Sequence, residues 1–320
     1  MYLYILNSNI MGNEILGLHH ITAIAGNAKR NHQFYTDVLG LRMVKKTVNF
    51  DDPGTYHFYF GDEAGTPGSI LTFFPWEGIG AGRTGSGMAT EIGYSVPKDS
   101  LEFWQDRFRQ FNVTQGEIGE RFGEQFLPFK DPDGLAINLI VNDGDTRKPW
   151  KTQAVGNEQA TRGFHNITLT LRSNTPTATI LTDIFGYTLD GKENNIARYR
   201  TDRIDTAAIV DLVEVPGEGP GYNGAGTNHH VAFRVKNEDI LMEYREKIRK
   251  KGLQITPKID RDYFFSLYFR EPGGVLFELA TDNPGFTRDE PLAELGTNLK
   301  LPRQYEGHRE KIEAVLPKLS

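Results

Sequence analysis

Apolar residues in this chain come in short runs whose spacing switches between two periods. Runs such as "HHITAI" (19–24), "FHNITLTL" (164–171) and "NHHVAFRV" (228–235) are rich in β-branched and aromatic residues and alternate every second position. That is the pattern of strands half-buried on one face. Between them lie stretches with apolar residues three and four apart: "NHQFYTDVL", "DSLEFWQDRFRQF", "TPTATILTDIF" and "EDILMEYREKIRKK". These predict helices, and glycines at 40, 186 and 252 stop three of them.

In order, the runs repeat. A strand, a helix and then two or three strands recur roughly every 65 to 75 residues, four times along the chain. The copies open at "HHITAI", "TEIGYSV", "FHNITLTL" and "NHHVAFRV". The second and fourth end alike, "FKDPDGLAINL" over "FREPGGVLFEL", each with an Asp/Glu-Pro-x-Gly turn between two strands. The expected class is α+β. Gly/Pro-rich stretches at 75–87, 142–163 and 216–226 read as linkers. They divide the chain into an N-terminal extension (1–16), two halves of two units each (17–145 and 160–285) and a polar tail (286–320). Met11 is an alternative start to Met1. The first linker contains a GxGxG stretch, but without a GK[ST] ending or a following helix it reads as a loop, not a nucleotide site.

Composition narrows the function classes. The 320 residues are 38% hydrophobic and 24% charged, with a net charge of -6. That balance suits a globular protein and lacks the basic footprint of nucleic-acid binding. No run is long and apolar enough for a membrane span, and the start lacks signal-peptide features. A cytoplasmic protein is expected. With no cysteine, disulfides, thiolate metal sites and a cysteine nucleophile are excluded, so any metal must be held by His, Asp, Glu or backbone.

Four of the eight histidines lie in two adjacent pairs, 19–20 and 229–230. On a regular strand neighbours face opposite sides. His19, Ile21 and Ala23 then share one face and His20, Thr22 and Ile24 the other. His165, Ile167 and Leu169 oppose Asn166 and Thr168, while His229, Val231 and Phe233 oppose His230 and Ala232. The first member of each pair is expected in apolar packing. The second, with Asn166 and with "ATEIGY" of the second unit, is expected on a concave, more polar face. Two imidazoles need a third ligand, and Glu278 in "VLFELA" is conspicuous among its apolar flanks; the second unit has Asn138 there.

These residues resemble the vicinal oxygen chelate superfamily, also named glyoxalase/bleomycin resistance/dioxygenase. They are closest in look to type I extradiol ring-cleaving dioxygenases of the hydroquinone branch. The resemblance rests on "GLHHITAIAG", "FYTDVLGLRMVKKTVNFDDPGTYHFYFGDEAGTPGS", "RGFHNIT", "HHVAF", "RDYFFSLYFREPGGVLFELA" and "NPGFTRDEP", spanning about 17 to 290. It implies four βαβββ modules forming cupped mixed sheets. It also implies an Fe(II) site of His20, His230 and Glu278, with Mn(II) accepting the same ligands. His229, Tyr268, Arg261 and Thr22 are implied around it: Tyr268 bonding a phenolate, Arg261 facing an anionic oxygen, His229 shuttling a proton. His57 is a further candidate to approach the site, and His165 is the alternative ligand if the third module contributes. The expected reaction is ring opening of a hydroquinone or catechol by O₂, in aromatic detoxification or catabolism. A metal-dependent glyoxalase-type isomerase or thiol transferase, and a non-catalytic aromatic-binding protein, remain as rivals. Sheet edges suit pairing into a homodimer or higher homo-oligomer.

Overall fold

The structure is a computed structural model and describes residues 14–319, so the alternative starts at Met1 and Met11 and most of the N-terminal extension lie outside the described residues. Four βαβββ modules follow one another. The first holds β1 (Leu18–Ala25), α1 (Ala28–Gln33, continued by a wider turn to Val38), β2 (Arg42–Val48), β3 (Tyr56–Gly61) and β4 (Ile70–Pro75). The second holds β5 (Met88–Val96), α2 (Leu101–Gln110), β6 (Gly119–Arg121), β7 (Glu124–Lys130) and β8 (Ala136–Val141). The third holds β9 (Phe164–Leu171), α3 (Thr175–Thr179, continued to Ile184), β10 (Thr188–Glu193), β11 (Ile196–Arg200) and β12 (Ile209–Glu214). The fourth holds β13 (Thr227–Val235), α4 (Glu238–Lys250), β14 (Ile259–Asp260), β15 (Phe264–Arg270) and β16 (Leu276–Pro284).

Local chemistry explains the helices. Asn27 and Asn237 sit in extended conformation ahead of α1 and α4 and accept from the backbone N–H three residues on, satisfying an otherwise orphaned donor. In α4, Ile240, Leu241, Tyr244 and Ile248 are buried along one face. Acidic residues open this helix and basic ones close it, as the dipole favours. Four strands, β6, β10, β11 and β14, escaped the sequence reading. β6 and β14 are too short to show a period, and β10, "TLDGKE", is polar and largely exposed on both faces.

The modules pair across the chain. One eight-stranded sheet runs β14-β15-β16-β13-β1-β4-β3-β2, joining the first and fourth modules. The other runs β10-β11-β12-β9-β5-β8-β7-β6, joining the second and third. Each sheet therefore draws one module from each half of the sequence. The joints are antiparallel, β1 with β13 and β5 with β9, and each carries two β-bulges. The glycine-rich segments near 81–86 and 220–225 zip together, with Ala81 bridging Ala225, Arg83 bridging Tyr222 and Ser86 bridging Pro220. A Cβ on Gly224 would come within 2.5 Å of the Gly82 nitrogen, so the GxGxG stretch serves close backbone approach.

The tail binds back onto the first sheet. Lys45 on β2 is fully buried and ion-paired to Asp289 (2.6 Å) and Glu290 (2.5 Å). Arg42 donates to the Leu292 carbonyl, and Ile312 and Leu316, on and just past the closing helix α5 (Arg309–Val315), pack near Val48. No described helix is long and apolar enough to cross a membrane.

Candidate metal centre

The bulges at the β1–β13 joint decide what faces the cup. Leu18 pairs with Phe233 and the next paired residue is His20, opposite Ala232, so His19 is an extra residue. Likewise Thr22 pairs with His230 and Ala23 with Asn228, leaving His229 extra. A bulge breaks the two-residue period and re-aims a side chain. Leu18, Ile21 and Ala23 still face the apolar core, as do Val231 and Phe233. His19 does not join them. Its Nδ1 lies 2.9 Å from His20 Nδ1, and Phe264 lies against both rings. His229 Nδ1 lies 2.8 Å from His230 Nδ1, and both line the cavity. The parity expectation for His19 and His229 is corrected: each pair turns to one side because a bulge lies between the pair and the regular ladder.

His20 and His230 meet Glu278 between them. Glu278 Oε2 lies 3.2 Å from His20 Nε2 and 2.8 Å from His230 Nε2, and all three residues are buried. Glu278 faces the cup with Ala280, while Phe277 and Leu279 face the core. Ser266 donates to Glu278 Oε1. Burial works against the Glu278 carboxylate, but the two histidines outweigh it and hold its pKa well below the usual range.

Hydrogen bonding fixes which ring nitrogens are free. His19 Nε2 lies 3.1 Å from the Thr281 carbonyl, which can only accept. Burial, then the neighbouring His20, pushes the His19 pKa down to about 3, so its ring is neutral. Its Nδ1 is then bare and accepts from His20 Nδ1–H. With a cation bound, His20 Nε2 would give up any hydrogen directed at the carboxylate and present its lone pair there. The His229–His230 contact allows the same for His230. Lone pairs and a carboxylate oxygen then converge in a buried place. His230 Nε2 and Glu278 Oε2 have no hydrogen-bond partner despite their 2.8 Å separation, because their alignment fails. A divalent cation held here would satisfy all three ligand atoms, and the two-nitrogen, one-carboxylate set suits Fe, Mn or Zn.

The cavity at this centre has a volume of about 320 Å³ and is walled by Phe50, Phe74, Trp76, Tyr59, Phe264 and Tyr268. That is the lower end of small-molecule sites. Thr22 lies on its floor. The Tyr268 ring stands edge-on to His230 at 5.6 Å, and Arg261 Nε donates to Tyr268 Oη at 3.3 Å. Burial opposes the Arg261 charge, but Tyr268 and Glu278 outweigh it and raise its pKa. A larger, more open cavity of about 600 Å³ shares His229 and His230 but is lined by Arg172, Arg270 and glycines; the smaller one suits an aromatic ring.

His165 is not brought to this centre. It is the extra residue of a bulge in the other sheet, between the Phe164 and Asn166 pairings, and its Nε2 lies 3.1 Å from Glu124. Nor does it pack with Ile167 and Leu169, which corrects its expected face. In that second cup Asp211 holds the register position of Glu278, and Asn166 that of His230. There Arg198 binds both oxygens of Asp211 at 2.8 and 2.9 Å, and Glu124 at 2.6 Å. Asn138 donates to Glu91. The second cup is filled by a built-in cation.

Sequence reasoning passed over Tyr59, Thr72, Phe264 and Ser266 and left His57 open. The period-two signal was present: in "YHFYFG" His57 and Tyr59 alternate with the core residues Phe58 and Phe60.

Known proteins resemble this chain in both sequence and fold. The profile of the Glyoxalase/Bleomycin resistance protein/Dioxygenase superfamily matches residues 17–139 and 160–279. A Bacillus subtilis protein provisionally named ring-cleaving dioxygenase MhqO is 45% identical over 95% of this chain and 96% of its own. The chlorohydroquinone/hydroquinone 1,2-dioxygenase of Sphingobium indicum is 37% identical over 93% and 95%. Among solved structures, a provisionally named B. subtilis dioxygenase superposes with a TM-score of 0.93 at 44% identity, covering 97% of this chain and 99% of that one. Glyoxalase I from Zea mays shares the fold, with a TM-score of 0.63 at 16% identity over 83% and 92%.

Proposed function

The chain belongs to the glyoxalase/bleomycin resistance protein/dioxygenase superfamily and is an enzyme of its ring-cleaving dioxygenase kind; from that premise we propose that it opens hydroquinones or catechols with O₂ at an Fe(II) held by His20, His230 and Glu278. The observation that carries the reading is the buried convergence of two imidazole Nε2 atoms and one carboxylate oxygen beside an aromatic cavity. Such a metal, when bound, supplies open coordination positions for substrate and O₂ and a path for electrons between them.

The remaining work belongs to the chain's own side chains. The aromatic walls seat a single ring and exclude water. Arg261 stays charged at the cavity and favours a substrate phenolate over the neutral phenol. Tyr268, its own phenol pKa pushed up by burial and by Glu278, stays a neutral donor toward that oxygen. His229 reaches the cavity edge with a neutral ring, placing a proton carrier beside His230. The single-carboxylate, two-imidazole set leaves more open positions than an isomerase's fuller ligand set. A role in removing reactive hydroquinones or in aromatic catabolism follows from this chemistry.

Labelling with ¹⁸O₂ tests the reaction type. Iron-loaded protein given methylhydroquinone or a catechol is expected to yield a ring-opened product carrying both labelled atoms. An unlabelled or ring-intact product would exclude the proposal. Tyr268→Phe is expected to lower kcat on the order of 10²-fold with the metal content unchanged, read by oxygen uptake and metal analysis.

A further inference from the structure

Four side chains beside the metal centre form one hydrogen-bonded line. Tyr59 Oη lies 3.1 Å from His57 Nδ1, His57 Nε2 lies 2.9 Å from Thr72 Oγ1, and Thr72 Oγ1 lies 2.9 Å from Thr22 Oγ1. The line crosses β3, β4 and β1 on the concave face, following the Tyr59–Thr72 and Thr22–Thr72 cross-strand pairs. Both ends, Tyr59 and Thr22, line the aromatic cavity, whereas Thr72 is fully buried beneath it. Among the described residues none of the four side chains has another hydrogen-bond partner.

Bookkeeping of hydrogens restricts this line to two states. A neutral imidazole carries one donor and one acceptor nitrogen, and each hydroxyl carries one hydrogen. In the first state Tyr59 donates to Nδ1, Nε2–H donates to Thr72, and Thr72 donates to Thr22. The Thr22 hydroxyl hydrogen is then left for the cavity. In the second state every bond is reversed, and the Tyr59 hydrogen is left for the cavity. Any mixture puts two hydrogens, or none, into one bond, or lets Thr72 accept twice and strands its own buried hydroxyl hydrogen without an acceptor. Burial first, then the neighbouring His20, holds the His57 pKa well below its ordinary value, which keeps the ring neutral in both states.

We propose that Tyr59, His57, Thr72 and Thr22 act as one reversible chain that couples the two ends of the cavity. A ligand hydroxyl that donates to Thr22 makes Tyr59 a donor, and the converse holds. A proton accepted at Thr22 Oγ1 is matched by one released from Tyr59 Oη to water. In between, one hydrogen moves across each link and His57 changes tautomer without gaining net charge. The device suits a phenolic ligand, which must shed a hydroxyl proton to bind a cation as phenolate. Thr22 and Tyr59 touch the ligand; His57 and Thr72 are positioning residues. The use of the chain rests on the ring-cleavage reading, while its two-state behaviour does not.

The test reads the His57 ring nitrogens by long-range ¹H–¹⁵N spectroscopy in the full chain without iron, with His57→Gln identifying the signals. Wild type is expected to show shifts averaged between the two neutral tautomers. Tyr59→Phe is expected to place the proton on Nε2, where Thr72 accepts it. Thr72→Val is expected to place it on Nδ1, where Tyr59 accepts it, and Thr72→Ser to return the wild-type shifts. One unchanging tautomer across the variants, or an imidazolium, overturns the chain. In iron-loaded enzyme Thr72→Val is expected to lower kcat on the order of 10²-fold with little change in KM, and Thr72→Ser to restore it. Undiminished turnover by Thr72→Val also overturns the proposal. Wild-type protein that turns over no phenol sinks the ring-cleavage reading instead, and the tautomer shifts still decide the chain.

Discussion

His20 and His230 are held by their sequence neighbours. The Thr281 carbonyl sets the His19 tautomer, His19 accepts from His20 Nδ1, and His20 Nε2 is the ring nitrogen that faces Glu278. Partners of this kind typically tune metal affinity by about 10- to 100-fold. His19→Ala is accordingly expected to weaken metal binding by about that factor, measured by chelator competition, with far-UV circular dichroism unchanged. Strand parity put His20, His230 and Glu278 on one face because the core residues Ile21 and Val231 follow the two histidines and Phe277 and Leu279 flank the glutamate. The directions of His19, His165 and His229 were not legible that way. A bulge without glycine leaves no mark in the hydrophobic pattern; its only trace was the doubled histidine at 19–20 and 229–230, and at His165 there was none.

At the scale of elements, the strap after β16 holds the outer edge of the cup. Lys45 is wholly buried and its charge is met by Glu290, 3% exposed, and by Asp289. Removing one partner of a buried pair leaves the other charge stranded, at a cost of about 3–5 kcal/mol. Glu290→Ala is expected to lose stability of that order in urea unfolding, whereas replacing Lys45, Asp289 and Glu290 together by apolar or neutral residues is expected to lose much less. The helices could be read ahead because their caps and terminal glycines act locally. Gly40 and Gly186 indeed adopt positive φ, 69° and 75°. The tail could not, since its grip depends on Lys45, which sits within "RMVKKTV" and gives no local sign of burial. The β10–β11 hairpin was missed because exposed β10 lacks alternation and β11, five residues long, carries two arginines and no clear period.

The whole molecule sets two like cups side by side and charges them differently. In the second, Arg198 neutralises Asp211 from within; in the first, no Arg or Lys side chain among the described residues pairs directly with Glu278. The repeat of four modules was legible, but their pairing, first with fourth and second with third, is long-range and invisible to local pattern. The second cup also has a pH signature. Burial acts to raise the Glu124 pKa, but His165 and Arg198 outweigh it and lower it from 4.5 to about 2. A depressed carboxylate stabilises the fold above its unfolded pKa and loses that contribution as pH falls through the folded one. The Tm difference between wild type and Glu124→Gln should be largest near neutral pH and shrink between about 4.5 and 2. The central claim concerns the first cup, and oxygen uptake by anaerobically iron-loaded protein tests it most directly. One iron per chain, uptake that begins only when methylhydroquinone or a catechol is added, and loss of both in Glu278→Gln are the results expected. Iron-replete protein that consumes no oxygen with any of these phenols would contradict the account.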